Sequence, residues 1–319
     1  MDHQASAKGL IPFTVPSYKK QCSTYYKVFG NLKSGTTPLV CLHGGPGAGR
    51  EHMEEFAGLT VRYGIPVVLY DQIGCGSSSH VKEVAGDVSF WNEDIFIAEL
   101  NNLLDHLDLR DGPGLNLLGH SWGGVIGSAF ASNRPRGLQK LVIMNSSAIQ
   151  ELTTKSWYAT RDSLPAVHRA AILEAQQSGD FNSTAYQDAY SVIFQTRMCR
   201  TESPPPSLAI AGKNLDEAEA MSQAMYGTGV PWSNTGGSMC NWTCVSRLHL
   251  INVPTLICNS EFDTSAWDFA QQPFLDHIPD VRWHKFAGAG HIPWLEGEAT
   301  LDAIIKVLVS VLHVMDTLS

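Results

Sequence analysis

The stretch from Gly119 to Gly124 (GHSWGG) contains the pattern G-x-S-x-G, with Ser121 at its centre. An extended apolar run, residues 114–118, precedes it, and a helical segment of small residues, 125–130, follows. A strand, a sharp turn and a helix are the context in which a serine becomes a nucleophile. The turn admits only small neighbours, and the helix N-terminus presents free N–H groups to a developing oxyanion. We therefore predict that Ser121 is a nucleophile; the alternative is a glycine-rich turn with an incidental serine.

A serine hydroxyl needs a base within hydrogen-bond reach and a third group that orients the base. In chains with this kind of turn the order is serine, acid, histidine. Asp263 and His291 fit that order, since each lies in the loop after one of the last two apolar runs of the chain. Asp268 and His284 are the nearest rivals, but His284 lies inside a predicted strand. We predict Asp263 as the acid and His291 as the base.

The oxyanion also needs two fixed N–H donors. The residue after the nucleophile supplies one, here the amide of Trp122, and an early loop after a strand supplies the other. That loop is residues 43–47 (HGGPG), whose glycines let the backbone approach a substrate. We predict Gly45 as the second donor, with Gly44 as the next choice.

Short apolar runs alternate with helical segments over much of the chain. This alternation predicts a parallel sheet that is covered by helices on both faces. Residues 9–29 predict an antiparallel pair of edge strands, with turns near Pro16-Ser17 and Gly30-Asn31. The predicted fold class is therefore α/β.

The alternation stops after about residue 147 and resumes near residue 251, and the residues between are mostly helical in pattern. We therefore predict one α/β core made of residues 1–147 and 251–319. A helical cap, residues 148–250, is expected over the carboxyl ends of the strands, where ligands bind in such sheets.

The composition limits the possible partners and the compartment. The chain has 319 residues, of which 44% are hydrophobic and 17% charged, and its formal net charge is −9. It can bury a substantial core, but it lacks the basic character that a nucleic-acid partner requires. No apolar run reaches the ~20 residues that cross a bilayer, and the first residues have no signal-peptide pattern. With seven scattered cysteines, an odd number, we expect reduced thiols and a cytoplasmic protein.

Patterns for metal or cofactor binding are weak. Cys240 and Cys244 with His249 form one potential ligand pair without a second pair. Gly74 and Gly76 lack the spacing of a dinucleotide fingerprint. We expect no metal and no cofactor, and a small molecule as the only partner; the sequence leaves the oligomeric state open.

Four motifs together resemble the proline iminopeptidase family of α/β-hydrolases: residues 43–47 (HGGPG), 71–77 (DQIGCGS), 119–124 (GHSWGG) and the pair Gly290-His291. The match covers both segments of the predicted core. The resemblance implies an α/β-hydrolase fold with a mostly parallel central sheet, helices on both faces and an inserted helical cap. It also implies a serine hydrolase in which the first two residues of 71–77, an aspartate and a glutamine, brace the loops beneath the site.

The chain departs from that family where its members hold the free α-ammonium group of the substrate with glutamates. The residue directly after the predicted catalytic aspartate is Thr264, and the cap segment Gly227–Trp232 holds no carboxylate. A buried cationic amine without a partner is costly. Removal of an N-terminal proline is therefore not the activity that we expect.

Aromatic side chains of the cap favour a pocket for an apolar or aromatic substrate. We predict that Tyr226, Trp232, Trp242 and Thr264 contact the substrate. An equally weighted interpretation is that the aromatic residues form the cap's own core.

The predicted function is a cofactor-independent serine hydrolase. Ser121 attacks an acyl carbon, His291 shuttles the proton, Asp263 orients His291, and water releases the acid. The cleaved bond is an ester, a lactone or an amide. The alternatives are a proline iminopeptidase or aminopeptidase; an enzyme of acyl transfer, cyclisation or carbon–carbon cleavage in specialised metabolism; and a ligand-binding protein on a hydrolase scaffold, against which the intact triad counts.

Overall fold

The computed structural model describes residues 4–15, 18–229, 231–232 and 236–312. Its strands are β1 Ala7–Phe13, β2 Cys22–Phe29, β3 Leu39–Leu42, β4 Val67–Tyr70, β5 Leu115–His120, β6 Leu138–Met144, β7 Thr255–Ser260 and β8 Val281–Phe286. They form one sheet in the order β1-β2-β4-β3-β5-β6-β7-β8.

The sheet is mostly parallel. β2 pairs antiparallel with β1 and with β4, and every pair from β4 to β8 is parallel. The antiparallel edge pair agrees with the prediction for residues 9–29, whereas the turn predicted at Pro16-Ser17 lies outside the described residues. The predicted α/β class, with a mostly parallel central sheet, is confirmed.

Eleven α-helices are described, together with short 3₁₀ segments and one π-helical turn, Phe194–Met198. Their bounds are α1 Gly58–Tyr63, α2 Glu93–His106, α3 Trp122–Ser132, α4 Gln150–Asp162, α5 Ala166–Ser178, α6 Thr184–Ile193, α7 Pro206–Glu217, α8 Glu219–Tyr226, α9 Val245–Leu248, α10 Asp268–His277 and α11 Glu298–Leu312. In the described part of the chain, none of them has the length and apolar character that a membrane crossing requires.

Successive residues of the central strands enter two different hydrophobic cores. In β3, Val40 and Leu42 pack with side chains of α2, α3 and α10, whereas Leu39 and Cys41 pack with side chains of α1 and α11. Side chains alternate between the two faces of a strand, so helices cover both faces of this sheet. This double cover explains why the short central strands are apolar at nearly every position.

The longest helix of the first half, α2, begins after a residue that caps its first turn. Asn92 precedes α2, and its side-chain oxygen accepts hydrogen bonds from the N–H groups of Asp94 at 3.0 Å and Ile95 at 3.3 Å. These bonds satisfy two N–H groups that have no partner within the helix. The buried stripe of α2, which includes Phe96 and Leu100, then packs on the sheet.

Between β6 and β7 the described residues form the helices α4 to α9, with the π-helical turn after α6; residues 150–248 are called the insert below. An isolated antiparallel bridge between Ile149 and Thr243 joins the two ends of the insert. The division of the chain into a core and a cap at residues 147 and 250 stays a prediction.

Candidate active site

Ser121 lies at the sharp turn between β5 and α3. Its backbone has φ 53° and ψ −119°, and its N–H donates to the carbonyl oxygen of Met144 at 2.9 Å. A Cβ atom added at Gly119 would lie 2.2 Å from the carbonyl oxygen of Gly123, and one added at Gly123 would lie 2.1 Å from that of Leu42. Only glycine fits at either position. Strand, turn and helix therefore meet as the sequence predicts, and the half-buried Ser121 faces a cavity.

Asp263 and His291 form a buried pair, with relative exposures of 1% and 5%. His291 Nδ1 lies 2.9 Å from Asp263 Oδ2. The other carboxylate oxygen, Oδ1, accepts hydrogen bonds from the N–H groups of Ser265 at 2.6 Å and Ala266 at 2.8 Å. Because an ionised carboxylate can only accept, the proton of a neutral His291 lies on Nδ1 and Nε2 keeps its lone pair.

The carbonyl oxygen of His291 is held by two side chains from the strand ends beside it. It accepts a hydrogen bond from His120 Nε2 at 2.9 Å and another from Asn145 Nδ2 at 2.8 Å. Burial holds the pKa of His120 well below its usual range, so this imidazole is neutral. The backbone of the histidine loop is thus fixed to the residue that precedes Ser121.

The predicted oxyanion donors belong to two segments next to Ser121, the start of α3 and the loop 43–47. Trp122 is the first residue of α3, so its N–H lies in the first turn of the helix. A Cβ atom added at Gly44 would lie 3.2 Å from Ser121 Cβ, and therefore the loop 43–47 lies directly against the serine side chain. Gly44, Gly45 and Trp122 all line the same cavity as Ser121.

Gln72 connects the two structures that carry these donors. Its side-chain N–H₂ group donates to the carbonyl oxygen of His43 at 3.0 Å, and its Oε1 accepts from the indole N–H of Trp122 at 2.8 Å. Its own backbone N–H donates to His43 Nε2 at 3.0 Å. These three bonds fix the start of the loop 43–47 relative to the start of α3.

Asp71 is fully buried and holds the segments that follow the loop 43–47 and strand β4. Its Oδ1 accepts from the backbone N–H of Arg50 at 2.9 Å, its Oδ2 accepts from that of Ser77 at 2.9 Å, and it forms an ion pair with the Arg50 guanidinium. The contacts of Asp71 and Gln72 fit the bracing role that the family resemblance implies for them.

The cavity next to Ser121 has a volume of about 520 Å³. Three helical segments of the insert supply most of its share of the lining: Gln150, Thr153 and Trp157 from α4; Tyr190, Phe194 and Met198 from α6 and its π-helical turn; and Leu208, Ala211, Leu215 and Asp216 from α7. Most of these side chains are apolar, and Asp216, the only acidic side chain in the described lining, is exposed.

Of the four residues predicted to contact substrate, the structure brings only Tyr226 to the cavity. Trp232 is 1% exposed within the insert, where its indole N–H donates to the Tyr186 hydroxyl at 2.9 Å. The indole N–H of Trp242 donates to Glu93 on α2. Thr264 is fully buried, and its hydroxyl lies 3.2 Å from Met198 Sδ. We therefore correct the prediction for Trp232, Trp242 and Thr264: none of them lines the cavity, Trp232 and Thr264 are buried, and the half-buried Trp242 packs against the core.

Sequence reasoning missed the cavity faces of α4 and α6. Tyr190, Phe194 and Met198 follow one another at intervals of four residues, and Gln150, Thr153 and Trp157 follow at three and four. These spacings place each set on one side of a helix. The spacing could have identified the faces, but it does not say whether a face meets a cavity or a core.

The cysteines of the weak ligand pattern have other surroundings in the described structure. Cys244, a member of the weak ligand pattern, is buried, and its Sγ lies 3.4 Å from the Ser128 hydroxyl. Within the described ranges, no group of three or more His, Cys, Asp or Glu side chains is arranged to hold a metal ion.

Comparison with known proteins shows relatives over nearly the whole chain. Residues 37–298 match the α/β hydrolase fold family. The chain is 30% identical over 313 residues to a proline iminopeptidase of Clostridioides difficile, covering 97% of this chain and 99% of that protein. It is 30% identical over 278 residues to a proline iminopeptidase of Lactiplantibacillus plantarum, covering 86% of this chain and 92% of that protein.

Solved structures give the same result. The crystal structure of VinJ superposes with a TM-score of 0.87 at 31% identity, covering 98% of this chain and all of that one. The crystal structure of a proline iminopeptidase of Mycobacterium smegmatis superposes with a TM-score of 0.85 at 29% identity, covering 96% of this chain and 98% of that one.

Proposed function

The chain belongs to the α/β-hydrolase family, and on that premise we propose that it is a serine hydrolase with Ser121, His291 and Asp263 as its catalytic triad. The observation that carries the proposal is the buried His291–Asp263 pair, 2.9 Å apart, at the cavity that Ser121 also lines. A histidine oriented by a carboxylate beside a serine at a strand-to-helix turn is the arrangement that activates a hydroxyl.

In the proposed reaction, Ser121 Oγ attacks the acyl carbon of the substrate while His291 Nε2 takes its proton. Asp263 keeps the His291 proton on Nδ1 and stabilises the imidazolium that forms. The N–H groups of Trp122 and Gly45, or of Gly44, bind the oxyanion of the tetrahedral intermediate. His291 then protonates the leaving group, and a water molecule attacks the acyl-enzyme by the same route in reverse.

The cavity supports an uncharged, mostly apolar acyl group as the substrate. Its lining from the insert is dominated by aromatic and aliphatic side chains, and its one described acidic residue, Asp216, is exposed to solvent. A free α-ammonium group close to Ser121 would therefore lose its water without meeting a buried carboxylate. An ester, a lactone or an amide without a free α-amino group fits the cavity better.

Proline iminopeptidase activity is the second candidate. It is favoured by the similarity to proline iminopeptidases, which extends over 97% of this chain for the relative from Clostridioides difficile. The position of Thr264 counts against it, because this side chain is buried against Met198 and offers no carboxylate to the cavity.

Labelling with a fluorophosphonate, read by intact mass and peptide mapping, tests the proposal. The folded wild-type protein is expected to form one adduct, on Ser121, and Ser121→Ala is expected to form none. Folded wild-type protein without an adduct on Ser121 would contradict the serine-hydrolase mechanism and favour a ligand-binding protein.

Substrate comparison separates the remaining candidates. We expect the wild-type protein to cleave a p-nitrophenyl ester or an N-blocked prolyl arylamide faster than the arylamide of free proline. The opposite order would identify a proline iminopeptidase. Acyl transfer or cyclisation would appear as a product in which an added alcohol or amine, or the substrate's own nucleophile, replaces water.

A further inference from the structure

The loop that carries His291 is hydrogen-bonded to the insert through its backbone. The N–H of His291 donates to the carbonyl oxygen of Arg197 at 2.7 Å, and the N–H of Ile292 donates to that of Met198 at 2.8 Å. Both acceptors belong to the π-helical turn Phe194–Met198. The same turn presents the side chains of Phe194 and Met198 to the cavity. It therefore bonds to the backbone of the predicted base and also lines the cavity proposed for the substrate.

The carboxylate of Glu296 bonds to both partners of this contact. Its Oε1 accepts from the N–H of Arg200, in the insert, at 2.8 Å and from the N–H of Gly290, in the histidine loop, at 2.9 Å. Its Oε2 lies 3.2 Å from the Gly290 nitrogen. A single half-buried side chain thus holds the residue before His291 and the segment just after the π-helical turn.

The approach of these groups leaves no free volume at Gly290. A Cβ atom added there would lie 2.4 Å from the carbonyl oxygen of Arg197 and 2.7 Å from Glu296 Oε1. The backbone on the N-terminal side of His291 is therefore enclosed between the insert and the Glu296 carboxylate. The backbone carbonyl of His291 is fixed separately, by His120 and Asn145.

We propose that Glu296 is a positioning residue for His291, which sets the place of the imidazole by bonding the Gly290 N–H and the Arg200 N–H with one carboxylate. The proposal rests on the proposed function, in which His291 is the base. Glu296 does not line the cavity, so it acts on the reaction through the loop and not on the substrate. Loss of its bonds would let the imidazole leave the geometry for proton transfer, and a displacement of about 1 Å can lower a rate ~100-fold.

The test compares Glu296→Ala and Glu296→Gln with Glu261→Ala in steady-state hydrolysis of a p-nitrophenyl ester. The glutamine oxygen can still accept both N–H groups, so E296Q is the conservative variant. Glu261 is the matched control, because its Oε2 accepts the N–H of Gly288 in the same loop at 2.7 Å but lies on an exposed residue. If E296A does not fold, Glu296→Asp replaces it in the test, because the shorter side chain keeps the charge but moves the carboxylate oxygens away from the two N–H groups.

We expect kcat of E296A, or of E296D, to fall ~10–100-fold while KM stays within about threefold, since positioning acts on the chemical step. E296Q is expected to regain most of kcat, and E261A to stay within about twofold of the wild type. Thermal melting identifies the variants that fold. Fluorophosphonate labelling of Ser121 confirms that the wild-type protein has a reactive serine.

Folded E296A or E296D with the kcat of the wild type would overturn the proposal. A decrease in kcat of the same size in E296A and E261A would also overturn it. In either case the proposed function would stand, because the wild-type protein would still hydrolyse the ester and label on Ser121. Wild-type protein that neither labels nor hydrolyses would remove the proposed function and, with it, the role of Glu296.

Discussion

His120 Nε2 donates a hydrogen bond to the carbonyl oxygen of His291 at 2.9 Å, although the two residues are 171 positions apart in the chain. His120 directly precedes Ser121, so the strand that carries the proposed nucleophile also holds the backbone of the proposed base. The low pKa of the buried His120 keeps its ring neutral, with the proton on Nε2 as the donor. The distance between nucleophile and base therefore depends on a side chain that takes no part in the proton transfer.

Replacement of His120 by phenylalanine should lower kcat, because the His291 carbonyl would keep only its bond from Asn145. We expect a ~10–100-fold loss, the size of a small misplacement of the base. Glutamine places an N–H₂ group near the position of Nε2, so H120Q should retain a higher kcat than H120F. Ester hydrolysis by H120F at the wild-type rate would contradict the positioning role of this bond.

Replacement of Asp263 by asparagine should preserve the fold and remove nearly all activity. The amide oxygen can still accept the N–H groups of Ser265 and Ala266, which directs the N–H₂ group toward His291 Nδ1. His291 would then carry its proton on Nε2, the atom that must accept one from Ser121. We expect kcat to fall ~10³–10⁴-fold with an unchanged melting temperature. Retention of more than about a tenth of kcat would show that Asp263 is not the orienting acid.

Glu99 should make the protein less stable as the pH rises. Burial raises the pKa of this fully buried carboxyl to about 8, against the bonds from Thr24 and Ile73, which lower it. The folded pKa lies above the unfolded value of ~4.3, so at pH values between the two the folded state binds more protons than the unfolded state. The free energy of unfolding should therefore decrease from about pH 5 to pH 8, by up to ~1.4 kcal/mol per pH unit from this group.

The matched variant for this test is Glu99→Gln, which does not titrate and can both accept from Ile73 and donate to Thr24. Urea denaturation at pH 5, 6, 7 and 8 measures the free energy of unfolding for both proteins. We expect the stability of E99Q relative to the wild type to increase with pH over this range. Parallel curves for the two proteins would show that Glu99 has the same pKa in the folded and unfolded states.

Leu215 should control the length of the acyl group that the cavity accepts. It is 41% exposed on α7 and lines the cavity, so Leu215→Trp narrows the cavity with little cost in packing. The ratio of kcat/KM for p-nitrophenyl hexanoate to that for the acetate is expected to fall ~10-fold. Ile210, 44% exposed on the same helix and outside the lining, provides the control variant I210W, for which the ratio should not change. If both variants changed this ratio equally, the acyl group would not bind next to Leu215.

The fold and the positions around Ser121 were predictable because local rules apply there. The strand-to-helix turn needs glycine at Gly119 and Gly123 for steric reasons, and chain order then indicates where an acid and a base must follow. Parallel strands bring their carboxyl ends to one edge, so loops that are far apart in sequence meet. The Asp263–His291 pair follows from these constraints.

The insert was harder to predict because no local rule separates a core face from a cavity face. Trp232 and Trp157 are both tryptophans of the insert, and their rings pack 5.5 Å apart, yet only Trp157 lines the cavity. The difference arises from how the helices pack on one another, which a hydrophobic pattern does not encode. The contact of Glu296 with Arg200 has the same origin, because it joins backbone groups that carry no sequence signal.

The bridge between Ile149 and Thr243 has a consequence for the evolution and engineering of the chain. The insert leaves β6 and returns toward β7 at nearly one point, and these two strands are neighbours in the sheet. We expect an insert whose ends lie this close together to be exchangeable between relatives without displacing β6 or β7. A replacement insert would also have to offer two carbonyl oxygens to the histidine loop, as Arg197 and Met198 do here.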